Sequence, residues 1–310
     1  MSRLEHLRGV FGLLPTPYRD DYEVSGRELA ATADFCCKSG QHGIVWPVMV
    51  GEFYFLGEEE RTRHLGTVLE AVDGRLPVVF GCSSNSLPET VRYAKAAQRA
   101  GADAVIAMAP PEATPTIATE MFCRIADNFE GPLIVQNAAE RVSLSGEQLA
   151  ALVQRVPTIE YVKEERSPAP QHISEIVDAL GGHLKTVFGG AAGKLLPEEL
   201  SRGANGCMPA CEFGDVLARV VELWWAGDQA EARALHRRLL PLIVRETHPF
   251  MRYVLNRRGV TTSTTERGPA RWPSLDEGDR REISVLVQEV SSELGSFPFA
   301  LEAGSFDVIP

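Results

Sequence analysis

Lys163 closes the run Ile159-Glu160-Tyr161-Val162-Lys163, a short segment patterned like a buried strand. A primary amine at such a place can do carbonyl chemistry. Taken out of water, an amine gives up its ammonium form more easily and becomes a nucleophile that can form an imine with a ketone. The competing reading is a strand-end lysine whose head group snorkels to water. Tyr161 shares its face one layer deeper, which suits core filling, and Glu165 shares it on the other side, which suits a structural ion pair. Further along, Gly189-Gly190-Ala191-Ala192-Gly193-Lys194 is a glycine-rich loop. Either the backbone there approaches a ligand closely, or the loop is a tight turn before the helical stretch Leu195–Arg202. The seven histidines are dispersed, without HxxxH or HxH pairs, and the six cysteines form no CxxC pair. No metal and no cofactor is expected, and the thiols read as reduced and packed as small hydrophobes.

The elements that must position these residues alternate regularly. Apolar runs at Val10–Leu14, Gly43–Pro47, Pro77–Gly81, Ala104–Met108, Pro132–Gln136, Ile159–Lys163, Leu184–Phe188 and Gly206–Pro209 are separated by amphipathic stretches such as Glu58–Val72, Leu87–Ala100 and Thr116–Phe129. Continuous apolar runs suit parallel strands buried on both faces. Eight such units over about 210 residues predict a closed (β/α)₈ barrel over residues 1–213. An open doubly wound sheet is disfavoured because no GxGxxG turn follows the first run. From residue 214 the pattern becomes helical, at Asp215–Trp225, Gln229–Glu246, His248–Arg258 and Asp276–Leu294, with a polar loop at Thr261–Pro273. Residues 214–310 are therefore expected to form a helical extension packed on the barrel.

Barrel enzymes place their chemistry at the C-terminal ends of the strands. Those ends carry Pro15-Thr16-Pro17-Tyr18, Val50-Gly51-Glu52, Gly81-Cys82-Ser83-Ser84-Asn85, Pro110-Pro111-Glu112, Gln136-Asn137, Lys163-Glu164-Glu165, Gly189-Gly190 and Pro209-Ala210. The chain has 310 residues, 44% of them apolar, and a net charge of −11, which argues against a nucleic-acid partner. No stretch is long and apolar enough for a bilayer, and Met1-Ser2-Arg3-Leu4-Glu5-His6 has no signal-peptide character, so a cytoplasmic protein is expected.

Several of these strand ends resemble the dihydrodipicolinate synthase / N-acetylneuraminate lyase family of class I aldolases. Pro15-Thr16-Pro17-Tyr18 is similar to the family's T-P-F segment. Gly51-Glu52-Phe53, Leu56 and Glu58-Glu59-Glu60-Arg61 follow its G-E-F-x-x-L-x-x-E-E-R pattern. Gly81-Cys82-Ser83-Ser84-Asn85-Ser86 resembles G-x-x-S-N-S, and Val162-Lys163-Glu164 resembles I-K-E, whose lysine forms a Schiff base. Gly203-Ala204-Asn205-Gly206 and Leu255-Asn256-Arg257-Arg258-Gly259 are similar to G-A-x-G and L-x-x-R-G. Each piece is short; their order and spacing from about Gly9 to about Leu294 make the resemblance specific.

The departures lie where the family keeps its proton relay. Its G-T-T-G-E loop reads Val48-Met49-Val50-Gly51-Glu52, so both hydroxyls are gone and only backbone N–H groups near Val50 and Gly51 are left to cradle a carboxylate. Its L-Y-N-x-P segment reads Val135-Gln136-Asn137-Ala138, with Gln136 in place of the tyrosine. Its P-Y-Y segment reads Pro110-Pro111-Glu112, which offers Glu112 as a titratable replacement. Arg141 matches the arginine that contacts a carboxylate.

The resemblance implies a lyase in which Lys163 forms a Schiff base with a small-molecule 2-oxo acid, with Gln136 and Glu112 in the pocket. Met49, Val50, Gly51, Arg141, Gly189 and Gly190 would bind the substrate. Aldol chemistry at the adjacent carbon is the first expectation, and hydration or dehydration through the same imine the second. Met49 and Val50 suit a bulkier or more apolar substrate than those of the lysine-pathway and sialic-acid branches. A non-catalytic binding or structural homologue is the third reading. The resemblance also implies a homotetramer or homodimer.

Overall fold

The computed structural model describes residues 7–138, 142–268 and 271–301. Eight parallel strands close into a barrel in sequence order: β1 (Gly9–Leu13), β2 (Gly43–Trp46), β3 (Val78–Gly81), β4 (Ala104–Ala107), β5 (Leu133–Asn137), β6 (Ile159–Glu164), β7 (Thr186–Gly189) and β8 (Gly206–Cys207). Helices α1 (Gly26–Lys38), α2 (Glu58–Val72), α3 (Leu87–Ala100), α4 (Pro115–Ala126), α5 (Gly146–Arg155), α6 (Ala169–Leu180), α7 (Leu196–Ser201) and α8 (Gly214–Trp225) follow the strands in turn. The predicted barrel is the observed one. The eighth strand is shorter than its apolar run, two residues long, because β8 pairs with β1 only through Gly9 and Val10.

The side-chain alternation of a strand explains the core. Phe11 and Leu13 of β1, Val45, Val79, Ile106, Ile134, Tyr161 and Phe188 point inward and fill the barrel with one apolar cluster. Phe11 and Phe188 meet edge to face with ring centroids 5.2 Å apart. The intervening residues, such as Ile44, Val78, Phe80, Val105, Val135 and Val162, pack outward beneath the helices. The same alternation puts Gln136 on β5, and Lys163 and Glu165 on or just beyond β6, on the inner face one layer above this plug. The β5–β6 register makes Gln136 the direct neighbour of Lys163.

The pattern change at residue 214 coincides with the start of α8, the eighth barrel helix. Beyond it come α9 (Gln229–Ile243), α10 (His248–Arg257), α11 (Glu277–Leu286) and a 3₁₀ segment, Val287–Glu293. The expected helix Asp276–Leu294 thus changes winding after Leu286. Leu217 and Val221 of α8, Leu235 and Leu239 of α9, Phe250 and Val254 of α10, and Ile283 and Val287 share one cluster with Val10 and Cys207 of the barrel. This packing lays the start of α10 over the barrel mouth. None of the helices among the described residues is long and apolar enough to cross a membrane.

Candidate active site

A cavity of about 230 Å³ opens at the C-terminal end of the barrel. That is below the range of about 300–1,000 Å³ for drug-sized ligands and suits a small acid. Lys163 lines it and is only 2% exposed. Its Nζ lies 3.0 Å from Glu165 Oε1, and 20% of the Glu165 side chain remains accessible. Gln136 Nε2 donates to the other carboxylate oxygen, Oε2, at 2.7 Å. Burial raises the Glu165 pKa, but the Lys163 charge, the Gln136 and Lys163 hydrogen bonds and the Ala191 N–H outweigh it, and the net direction is down. A buried lysine, its carboxylate and an amide therefore form one connected unit at the floor of a cavity. Among the described residues, Gln136 Oε1 is buried without a partner, which leaves an acceptor for a ligand hydroxyl.

The loop after β2 supplies Val48, Met49 and Val50 to the wall. Glu52 fixes this loop from behind. It adopts a left-handed backbone conformation (φ 52°), and its carboxylate pairs with the buried Arg252 guanidinium. Gly51 is buried and does not face the cavity; its carbonyl accepts from Thr16 Oγ1 at 2.6 Å, and Trp46 Nε1 donates to the same hydroxyl at 3.0 Å.

The rest of the lining comes from the helical extension. Glu246, Thr247, His248, Met251, Arg271 and Trp272 close the cavity from above. Thr247 caps α10, accepting from the Phe250 N–H at 3.4 Å, and Pro249 stands in the first turn, where a missing N–H costs nothing. The cap sets the directions of Glu246 and His248. His248 stacks edge-on against Trp272 with centroids 5.0 Å apart, and its Nε2 lies 3.4 Å from the Met49 carbonyl oxygen. Burial lowers the His248 pKa, against a weaker opposing pull from Glu52. Among the described residues no group of three or more His, Cys, Asp or Glu side chains could hold a metal ion.

The sequence profile of the dihydrodipicolinate synthetase family matches residues 6–290. The chain belongs to that family. This dihydrodipicolinate synthetase family member is 27% identical over 296 residues to the L-2-keto-3-deoxyarabonate dehydratase of Azospirillum brasilense, covering 91% of this chain and 94% of that one. It is 32% identical over 268 residues to a 4-hydroxy-tetrahydrodipicolinate synthase of Methylobacterium radiotolerans, covering 83% and 87%. The crystal structure of dihydrodipicolinate synthase from Rhodopseudomonas palustris superposes with a TM-score of 0.82 at 25% identity, covering 91% of this chain and 97% of that one. The family is one of lyases.

The barrel of this family member gathers Lys163, Gln136, Met49 and Val50 around one cavity. Glu112 is not among them. It is exposed on the turn before α4, while Met108 is what β4 sends to the mouth, packed with Phe53, Ala138 and Met49. The consecutive prolines at 110 and 111 carry the chain outward before a carboxylate could reach the lysine. Arg141 lies outside the described residues. Gly189 and Gly190 do not line the cavity; they make room for the Glu199 and Glu165 carboxyl groups, and Ala191 and Ala192 after them form the wall. Tyr161 is core, its hydroxyl accepting from the Leu7 N–H at 3.3 Å at the far end of the barrel. Tyr18 is buried away from the cavity between the Arg252 and Arg267 guanidinium groups.

Glu165 and Glu246 line the cavity, although neither was expected there from the strand ends. The period-2 alternation places Glu165 beside Lys163, so the expected ion pair exists, but its partner is the cavity lysine. Nothing local marks Glu246; the only sequence signal is the Thr247–Pro249 helix start that follows it.

Proposed function

We propose that this family member is a lyase in which Lys163 forms a Schiff base with a small 2-oxo acid and a carbon–carbon bond next to the imine is made or broken. The contact between the buried Lys163 Nζ and Glu165 Oε1 at 3.0 Å, facing the cavity, carries this reading. Glu165 takes the proton that the amine must shed before it can attack a carbonyl carbon. Once the imine forms, it withdraws electrons from the adjacent carbon, and the same carboxylate stands ready for a proton released there. The Gln136 amide holds Glu165 in place and offers its free oxygen to a substrate hydroxyl. Met49, Val50, Met251 and Trp272 suit a substrate with an apolar portion, and Arg271 brings positive charge to the rim for an acid.

A second reading has its own support. The 27% identical relative from Azospirillum brasilense is a dehydratase. The enamine that reverses an aldol addition can equally expel a hydroxyl group one carbon further on. Both branches share the Lys163 imine and differ in products: cleavage gives a shorter 2-oxo acid and an aldehyde, elimination gives the parent less water.

The test is intact mass after incubation with pyruvate and a panel of 2-oxo acids in the presence of sodium borohydride. A stable adduct that vanishes in Lys163→Ala is expected. Absence of any adduct from folded wild-type protein overturns the lyase reading and leaves a non-catalytic binding homologue.

A further inference from the structure

The imine needs an acid as well as a base. When the lysine amine has added to a ketone, the former carbonyl oxygen must be protonated before it can leave as water. Gln136 carries no transferable proton, and Glu112 is out of reach. Among the described residues the cavity is lined by one other carboxyl group. Glu246 faces it together with Lys163, Gln136 and Glu165, and the Ala210 N–H donates to its Oε1 at 3.2 Å. Two residues after Ala210, on the 3₁₀ turn Cys211–Phe213 that follows β8, stands Glu212, 2% exposed, with Oε2 lacking any partner among the described residues.

Building on the Lys163 reading, we infer that Glu246 is the general acid of the imine-forming step and that Glu212 is a positioning residue that keeps a proton on the pair. The amine nitrogen attacks the ketone carbon, and Glu165 hands the proton it took from the ammonium to the new alkoxide and takes the nitrogen's surplus proton in its place. Glu246 protonates the carbinolamine oxygen, the C–O bond breaks, water departs and the C=N bond forms. In the reverse hydrolysis water returns, and both carboxyl groups regain their starting states.

The electrostatics agree with the geometry. Burial raises the Glu246 pKa, opposed by the Ala210 N–H and by the charges of Lys194 and Lys163, and assisted by Glu165. Burial also raises that of Glu212, and the Glu246 charge raises it further, against its own N–H and Arg258. The Glu246 charge disfavours ionisation of Glu212, so the two carboxyl groups together give up their last proton reluctantly. With Glu165 pulled down and this pair pushed up, base and acid are separated by environment alone.

The test uses pyruvate as the probe and sodium cyanoborohydride as the trap, with the rate of adduct formation followed by intact mass from pH 5 to 9. The wild-type rate should fall as pH rises through the pair's titration. Glu246→Gln should trap pyruvate about 100-fold more slowly and lose that alkaline limb, with Glu246→Asp partly restoring the rate. Glu212→Gln, which leaves the cavity lining intact, should move the limb to lower pH because Glu246 then ionises without a neighbour to share its proton. Trapping by Glu246→Gln at the wild-type rate, or an unmoved limb in Glu212→Gln, overturns the inference and leaves the Lys163 reading standing. Failure of the wild type to trap any 2-oxo acid removes both.

Discussion

The Cγ atom of Glu165 stands 2.3 Å from where a Cβ on Gly190 would be. The glycine after β7 is thus what allows the Glu165 carboxylate to lie against Lys163. Gly190→Ala should push Glu165 aside without touching the lysine. The expected outcome is a folded protein whose rate of borohydride trapping falls by about 100-fold, the scale of a lost general base. An unchanged trapping rate would show that the amine sheds its proton elsewhere.

Gln136 bears on the same carboxylate through hydrogen bonding. Its Nε2–Oε2 contact of 2.7 Å favours the ionised form of Glu165 and helps hold the pKa below its ordinary value. Gln136→Leu removes that donor, so the acid limb of activity should move to higher pH, towards the usual carboxylate range. A pH profile of the trapping rate reads this directly. A limb that stays in place would mean that Lys163 and the Ala191 N–H alone set the charge on Glu165.

The barrel and the lysine were legible in the sequence because both depend on local pattern. The period-2 alternation placed Lys163 and Glu165 on one face, and α2 and α3 begin and end where their apolar periodicity does. That Glu246, His248 and Trp272 line the cavity was not legible. Their place depends on how α9 packs against α8, the last barrel helix, and carries α10 over the mouth, a packing outcome that no short segment encodes. Glu112 failed for a related reason. A motif position fixes where a residue lies in the chain, whereas the direction of the turn after β4 is set by two prolines and by buried Met108.

The extension is tied down by Arg258. It donates to both oxygens of Asp215, with contacts of 3.1 and 2.5 Å, and to the carbonyls of Glu212, Leu294 and Phe297. Arg258 is fully buried, so removal of its counter-ion leaves a guanidinium charge in the interior. Asp215→Ala should cost about 3–5 kcal/mol of stability, far above the roughly 0–1 kcal/mol of a surface pair. Urea unfolding measures it. A loss near that of a surface pair would show that the three carbonyls suffice.

Glu199 predicts a pH dependence of stability that runs opposite to that of most carboxylates. It is buried beside Gly189, and among the described residues its Oε2 has no partner. Burial, followed by the nearby charges of Glu165, Glu198 and Glu164, raises its pKa to about 8. The folded state therefore keeps this proton over a range in which the unfolded chain has lost it. The stabilisation is complete below the unfolded pKa of about 4.3, is lost as pH rises towards about 8, and changes no further above that. Glu199→Gln, which keeps the shape and cannot ionise, should remove this component. The wild-type urea midpoint should therefore fall relative to that of Glu199→Gln as pH is raised from about 5 to about 8. A constant difference between the two midpoints over that range would mean that Glu199 is already ionised in the folded protein, its charge met by groups at the floor of the site.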